Sequence, residues 1–275
     1  HKVLYDLGLV TTPEPFKKLF NQGMITADAF QDERGVYIDI REVELRDGEG
    51  YHKESGVKLV RTAGKMGKRY KNGLPPEEVG DEFGVDTLRL YEMYMGPLEA
   101  STPWSMEGIR GMQRFLQRVW RNFIDLDGNL TVSGKANPDQ IKKMHQAILR
   151  VTDHIENLRF NTAIAAMIEW NNDLVGCDTI PEEVAQTFLV LLNPLAPHIS
   201  EELWQRAQWG EGDLSRKEWP IADEELAEED TITLPIQVNG KMRGQIEVGK
   251  NLDETELKEI ILSMENVSKF IPNES

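Results

Sequence analysis

The sequence predicts a multidomain, mainly α protein: a mixed α/β segment, then a helical bundle, then a small, partial α/β module. Three observations predict this. Residues 105–220 carry apolar side chains at helical spacing, broken by short loops. Residues 1–100 are irregular, with one partly alternating run, Val36–Leu45. Near the end, Asn239-Gly240 separates two strand-like runs, a hairpin signal because both residues accept positive φ. The length of 275 residues suits roughly two domains, and 40% apolar with 28% charged residues is a composition that buries cores.

The elements follow in order. Lys2–Val10 (KVLYDLGLV) is apolar at helical spacing and follows His1, not a methionine, so it reads as the middle of a longer polypeptide. The last residues, Phe270–Ser275, stop just after a predicted helix, so a fragment, a processed chain or one half of a split protein is expected. Val36–Leu45 predicts a strand, Arg46–Gly50 a turn and Val57–Val60 a second short strand. Gly64–Gly73 is rich in Gly and Lys and predicts a loop. Leu74-Pro75-Pro76-Glu77-Glu78 reads as a helix start, with proline in the first turn and acids at the positive end of the dipole. Asp86 is placed to cap the next helix, which Gly96-Pro97 ends.

Ser105 with Gly108 opens a helix to about Ile124, carrying Ile109, Met112, Phe115, Leu116, Val119, Trp120 and Phe123. After a turn-rich spacer, Gln140–Leu158, Asn161–Leu174 and Pro181–Leu192 predict three more helices. Pro194 and Pro197 interrupt, and Ile199–Ala207 resumes the pattern, with Ser200 expected at the helix start. Six acids in residues 222–230 predict a solvated linker. Thr231–Val238 and Met242–Val248 form the hairpin, and a helix from Asp253 to Met264 is capped by Asp253 or Thr255. One hairpin and one helix make a poor core for an independent domain, so this module is expected to be incomplete.

Charge narrows the function. There are 31 basic and 47 acidic residues, a net charge of -16, which argues against a general polyanion binder but not against local basic patches. The single cysteine, Cys177, excludes an intrachain disulfide framework and a multi-cysteine zinc site. It fits a reducing, cytoplasmic setting. No run approaches the roughly 18 apolar residues of a membrane span, and no signal-peptide pattern opens the chain. No protein-bound metal is expected.

The densest positive segment holds Lys58, Arg61, Lys65, Lys68, Arg69 and Lys71, with no acid between Ser55 and Pro76. Its glycines permit close backbone approach and its lysines can neutralise charge on phosphates. The spacing is not that of a Walker A loop, and an ordinary exposed basic loop fits the composition equally. Arg110, Arg114, Arg118 and Arg121 fall on one helix face. That stripe suits either a phosphate backbone or plain solvent. Lys241 and Arg243 make a small positive protrusion at the hairpin.

At the basic loop, Lys65-Met66-Gly67-Lys68-Arg69 resembles the second signature loop of class I aminoacyl-tRNA synthetases. Asn72–Ser105 (NGLPPEEVGDEFGVDTLRLYEMYMGPLEASTPWS) is similar to bacterial leucyl-tRNA synthetases. So are Arg114–Trp120 (RFLQRVW), Phe160–Asn171 (FNTAIAAMIEWN), Leu192–Trp204 (LNPLAPHISEELW) and Leu234–Gly244 (LPIQVNGKMRG). The matches occur in the family's order along nearly the whole chain.

The resemblance implies that residues 1–104 end a Rossmann-like class I catalytic domain, with a reduced leucine-specific insertion at about 30–61 and the signature loop at 64–73. It implies a helical anticodon-binding-type domain at 105–221, an acidic linker at 222–230 and a truncated C-terminal tRNA-contacting α/β domain at 231–275. The His-x-Gly-His signature and the editing domain of the family are absent from these residues, so the chain alone is not expected to be active. Lys68 matches the lysine that supports the ATP phosphates, with Lys65 beside it, while Met66, Gly67 and Arg69 complete the ATP loop. The family's usual third and fifth loop residues are serines; here Gly67 and Arg69 stand there. Losing two hydroxyls removes local capping bonds, so retuned leucine activation is expected.

The implied substrates are leucine, ATP with Mg2+ and tRNA(Leu). The implied tRNA contacts are Arg110, Arg114, Arg118, Arg121, Lys241 and Arg243. The competing expectation is a non-catalytic, stand-alone tRNA-binding or regulatory paralogue.

Overall fold

The structure, a computed structural model, describes residues 1–177, 179–210, 213–228, 231–238, 240–249 and 252–269. Two compact units divide the chain, His1–Ala222 and Asp223–Ser275.

The first unit opens on a short helix α1 (Lys2–Asp6), and Gly8 follows at φ +70°. Strand β1 (Ile25–Gln31), which the sequence pattern did not reveal, anchors a four-stranded sheet. β2 (Tyr37–Ile38) pairs antiparallel with its C-terminal end. The strand expected over Val36–Leu45 is broken in the middle. The Asp39 carboxylate accepts from the Arg41 amide at 3.0 Å and caps a single helical turn, Ile40–Glu42. A short polar side chain thus offers the backbone an alternative to the ladder.

β3 (Val43–Arg46) and β4 (Glu49–His52) form a hairpin around Asp47 and Gly48, both at positive φ. β5 (Val60–Lys65) pairs with β1 from Thr26↔Lys65 to Gln31↔Val60. It starts where the expected Val57–Val60 strand was to end, so Gly64 and Lys65 belong to a strand and the loop begins at Met66. Phe30, Val43 and Leu59 form a small core here, with Ile38 and Ile40 against it. A Cβ on Gly50 would lie 2.3 Å from the Phe30 ring, so glycine is what lets that ring pack.

Helices α2 (Pro76–Phe83) and α3 (Val85–Tyr94) follow, then β6 (Thr102–Pro103), parallel to β1. Five residues of the next helix, α4 (Met106–Phe123), are exposed below 6%: Ile109, Met112, Phe115, Val119 and Phe123. They are the periodic positions read from the sequence. Ser105 Oγ accepts from the Gly108 amide at 3.4 Å, as a cap should. A Cβ on Gly108 would lie 2.5 Å from the Tyr91 ring, and the Tyr91 hydroxyl accepts from the Ser105 amide at 2.6 Å.

The bundle continues with α5 (Pro138–Glu156), α6 (Phe160–Leu174), α7 (Glu182–Leu192) and α8 (Pro197–Ala207). Asn137 and Gln140 make a reciprocal capping box on α5. One apolar core joins α2 to α8.

Two expectations about capping are corrected. Asp86 does not cap its own helix: Gly84, at φ +90°, precedes α3, and Asp86 lies in its first turn. The Asp86 carboxylate instead caps α8, accepting from the amides of His198 at 3.3 Å and Ile199 at 2.8 Å. Ser200 is not at the start of α8 but inside it, buried, donating to the Ala196 carbonyl at 2.8 Å. Pro197 at the first turn moves the start upstream, as its fixed φ favours.

In the second unit the acidic stretch contains one helical turn, α9 (Glu224–Ala227), capped by Asp223. β7 (Thr231–Val238) and β8 (Lys241–Gly249) form an antiparallel hairpin closed at Val238↔Lys241, with Gly240 at φ +75° and a bulge between Ile236 and Gln237. Asn239 lies outside the described residues. α10 (Glu254–Ser263) is capped by Asp253, and α11 (Glu265–Ser268) follows. The mixed α/β, helical and small α/β succession is the fold class the sequence predicts.

Candidate functional site

The basic loop is built on the β1–β5 ladder. Pairing ends at Thr26↔Lys65, and the Met66 amide still donates to the Ile25 carbonyl at 3.0 Å. Gly67 is extended, at φ 174°, a conformation any residue adopts, and a Cβ there would meet nothing within 4 Å. Lys68–Tyr70 form a single tight helical turn, and Lys71 leaves it at φ +51°.

Asn72 holds this loop and was not singled out in the sequence. It is only 3% exposed. Its Oδ1 accepts from the Gly67 amide at 2.9 Å, and its Nδ2 donates to the carbonyls of Ala27 at 3.1 Å and Lys65 at 3.4 Å. A buried amide with its hydrogen bonds made resists movement. The loop is further pinned by the Ile40 amide on the Lys71 carbonyl at 2.9 Å and by an edge-to-face contact of Tyr70 with Tyr37 at 5.3 Å.

Six cations in a row do not make six free charges. Lys58 pairs with Glu49 at 2.5 Å and Arg61 with Asp28 at 2.7 Å. Lys65, Lys68 and Arg69 are exposed and form no ion pair among the described residues. Met66, Gly67, Lys68 and Lys71 line a cleft of about 690 Å³, whose other wall includes Asp39 and Arg41. There the Arg41 guanidinium, bonded to Asp39 at 2.8 Å, holds the Asp39 carboxyl down at about 2. Arg41 also reaches Glu78 at 3.5 Å. The cleft therefore carries Lys68 and Lys71 on one wall, with Lys71 also acting on the Asp39 carboxylate, and the Asp39–Arg41 pair on the other, while Glu77 adds one acid to the lining. Lys68 is the lysine of this lining placed to meet a phosphate.

The arginine stripe lies on α4, opposite the buried positions. Arg110, Arg114 and Arg121 are exposed and Arg118 is half-buried. Arg121 Nε donates to the Gln117 carbonyl at 3.2 Å, within its own helix. The Arg118 Nε is buried without a hydrogen-bond partner. None of the four forms an ion pair among the described residues, whereas Arg34, Arg46, Arg61, Arg150, Arg159, Arg206 and Arg216 all do. In a chain at -16, four adjacent arginines left without carboxylates form a local positive surface.

The structure thus places Lys65 at the end of β5 and Met66, Gly67, Lys68 and Arg69 in the loop that follows, with the four arginines on one helix face, all in the first unit. Lys241 and Arg243 lie on β8 in the second unit, with Lys241 exposed at the turn and Arg243 half-buried. Among the described residues there is no group of three or more His, Cys, Asp or Glu that could hold a metal ion. Also among them, no helix is long and apolar enough to cross a membrane.

Residues 140–261 match the family described as the anticodon-binding domain of tRNA ligase. Over 97% of its length the chain is 43% identical to a leucine–tRNA ligase of Streptomyces coelicolor. It is 44% identical, over the same share, to that of Saccharopolyspora erythraea. The chain spans 28% of the length of these relatives. Among solved structures it is similar to a LeuRS–tRNA–LeuAMS ternary complex from Agrobacterium radiobacter, with a TM-score of 0.65 and 28% identity, covering 98% of this chain and 32% of that one. The resemblance read from the five sequence segments therefore extends along nearly the whole chain.

Proposed function

We infer that this chain is the C-terminal portion of a leucine–tRNA ligase, supplying the second signature loop for ATP-dependent leucine activation and a surface that binds tRNA(Leu). The observation that carries this reading is the loop itself: Lys68 lines a cleft, and it, Lys65 and Arg69 form no ion pair among the described residues, in an otherwise acidic chain whose sequence is similar to these ligases over 97% of its own length. On this reading residues 1–104 end the catalytic domain, 105–221 form the helical anticodon-binding-type domain, 222–230 link, and 231–275 begin the C-terminal tRNA-contacting domain. Its setting is the cytoplasm.

The reaction has two steps. The leucine carboxylate attacks the α-phosphate of ATP, and pyrophosphate leaves. A terminal ribose hydroxyl of the tRNA then attacks the leucyl carbonyl, and AMP leaves. ATP arrives with Mg2+, which offsets phosphate charge as part of the substrate. Lys68, with Lys65 beside it, stabilises charge on the departing pyrophosphate. Asn72 keeps the loop backbone in one conformation, so little reorganisation is needed as charge develops. Met66, Gly67 and Arg69 shape the same loop. Arg110, Arg114, Arg118 and Arg121, with Lys241 and Arg243, meet the tRNA backbone, which orients rather than specifies.

The test mixes this chain with a polypeptide carrying the His-x-Gly-His signature and editing domain of the same ligase, and follows leucine-dependent ATP–pyrophosphate exchange. Exchange should need both parts and fall at least about a hundredfold with Lys68→Ala. Tight tRNA binding with no exchange in any combination would favour the non-catalytic paralogue.

A further inference from the structure

A second cleft, of about 480 Å³, lies away from the signature loop. Its walls are the α2–α3 junction, one side of α4 and the start of α8, all within the first unit. Gln113, Gln117 and Trp120 line it from α4, and His198 from α8. These α4 residues share a face at intervals of four and three, on the same helix as the unpaired arginines.

His198 has an unusual combination of exposure and fixity. Its side chain is 71% exposed, yet its Nδ1 is held at 2.8 Å by Asp86, which is 8% exposed and anchored to two α8 amides. With Nδ1 engaged, Nε2 is the ring nitrogen left for another partner. Trp120 is also fixed: the Arg206 guanidinium sits 5.0 Å from its ring centroid and is itself tied to Glu202 at 2.6 Å. The cleft thus presents a braced indole, two amide side chains able both to donate and to accept, and an oriented imidazole. Those are the groups that receive an unstacked base: an aromatic surface, hydrogen bonds for its edge, and a polar contact for its sugar or phosphate.

We propose that this cleft receives one unpaired nucleotide of the bound tRNA, its base against Trp120 and Gln113–Gln117, and its sugar–phosphate at His198 Nε2. The proposal rests on the tRNA-binding reading above and deepens it, since the arginines carry no sequence information while this cleft does. The neighbouring arginines supply the charge that brings an RNA strand to it.

The experiment titrates an in-vitro transcribed tRNA(Leu) with the full 275-residue chain at several salt concentrations, and probes each unpaired base chemically in the complex. The wild-type chain should protect one unpaired base. Trp120→Leu and the double change Gln113→Ala with Gln117→Ala should each weaken binding about tenfold and expose that base, leaving the salt slope unchanged. Arg114→Ala should lower the slope by about one phosphate contact and keep the base protected. The glutamine variant guards against misfolding of the tryptophan one, since Gln117 is exposed and Gln113 only half-buried. If Arg114→Ala weakens binding but the glutamine variant does not, and no single base is protected, the cleft proposal is overturned and tRNA binding stands. If the wild-type chain binds no tRNA, both fail.

Discussion

Asp86 and His198, 112 positions apart in sequence, are joined at 2.8 Å, and the same carboxylate caps the first turn of α8. A single acidic side chain in the segment that follows the basic loop thus fastens that segment to the last helix of the bundle. Arg89, one turn further along α3, repeats the link by donating to the Pro194 carbonyl at 2.9 Å.

Asp86→Ala removes three acceptor contacts and leaves the part-buried helix-start amides of His198 and Ile199 without their acceptor. The expected loss of stability is about 2–4 kcal/mol. His198→Ala, which keeps the backbone donors, should lose less than about 1 kcal/mol. Urea denaturation of the two variants checks the ranking; equal losses would mean that the ring, not the cap, carries the link.

Asn72→Ala frees the Gly67 amide and detaches the loop from the Ala27 carbonyl. The completed enzyme should lose kcat for pyrophosphate exchange by roughly 10- to 100-fold, with a smaller change in the KM for leucine. Amide hydrogen exchange at residues 66–71 should accelerate in the same variant. A lower kcat without faster exchange at the loop would assign Asn72 a role other than positioning.

Gly67→Ser puts a side chain where nothing lies within 4 Å, on backbone that is already extended. Stability should stay within about 0.5 kcal/mol of the parent. A serine hydroxyl also restores a local acceptor to the loop, so pyrophosphate exchange should match or exceed that of the parent. A slower rate would mean that the glycine itself is needed there.

Asp39 makes the fold sensitive to acid. Its carboxyl titrates at about 2 in the folded chain because Arg41 bonds it, against an ordinary value of 3.8. A lowered folded value means that the stabilisation is complete above about pH 4 and disappears as pH falls through about 2. Urea midpoints measured from pH 5 to pH 2 should fall less steeply for Asp39→Asn than for the parent. Parallel curves would show that the pair adds nothing, as exposed pairs often do.

The bundle was legible because helical contacts are local. Ile109, Met112, Phe115, Val119 and Phe123 all reach the core, and their spacing is enough to say so. The hairpin near the end was legible for the same reason, through Gly240 and the flanking strands. β1 was not, because Ile25–Gln31 alternates weakly and owes its state to partners about 35 residues on, in β5, and in β6. The basic loop and the arginine stripe could be named from residue type, but which cations stay unpaired depended on Glu49 and Asp28 arriving from other strands. Asn72 and the true target of Asp86 were hidden likewise. One needs the β1–β5 register and the other the packing of α3 on α8, and neither is written in nearby sequence.

The segregation of charge has a practical corollary at the bench. With a sequence pI of about 4.8, the protein should focus as an acid and elute late from an anion exchanger. Yet the guanidinium groups along α4 that lack carboxylate partners among the described residues, and the cations beside Gly67, should hold it on phosphocellulose or heparin resin at low ionic strength. Retention on both kinds of column separates a patterned surface from a uniformly negative one.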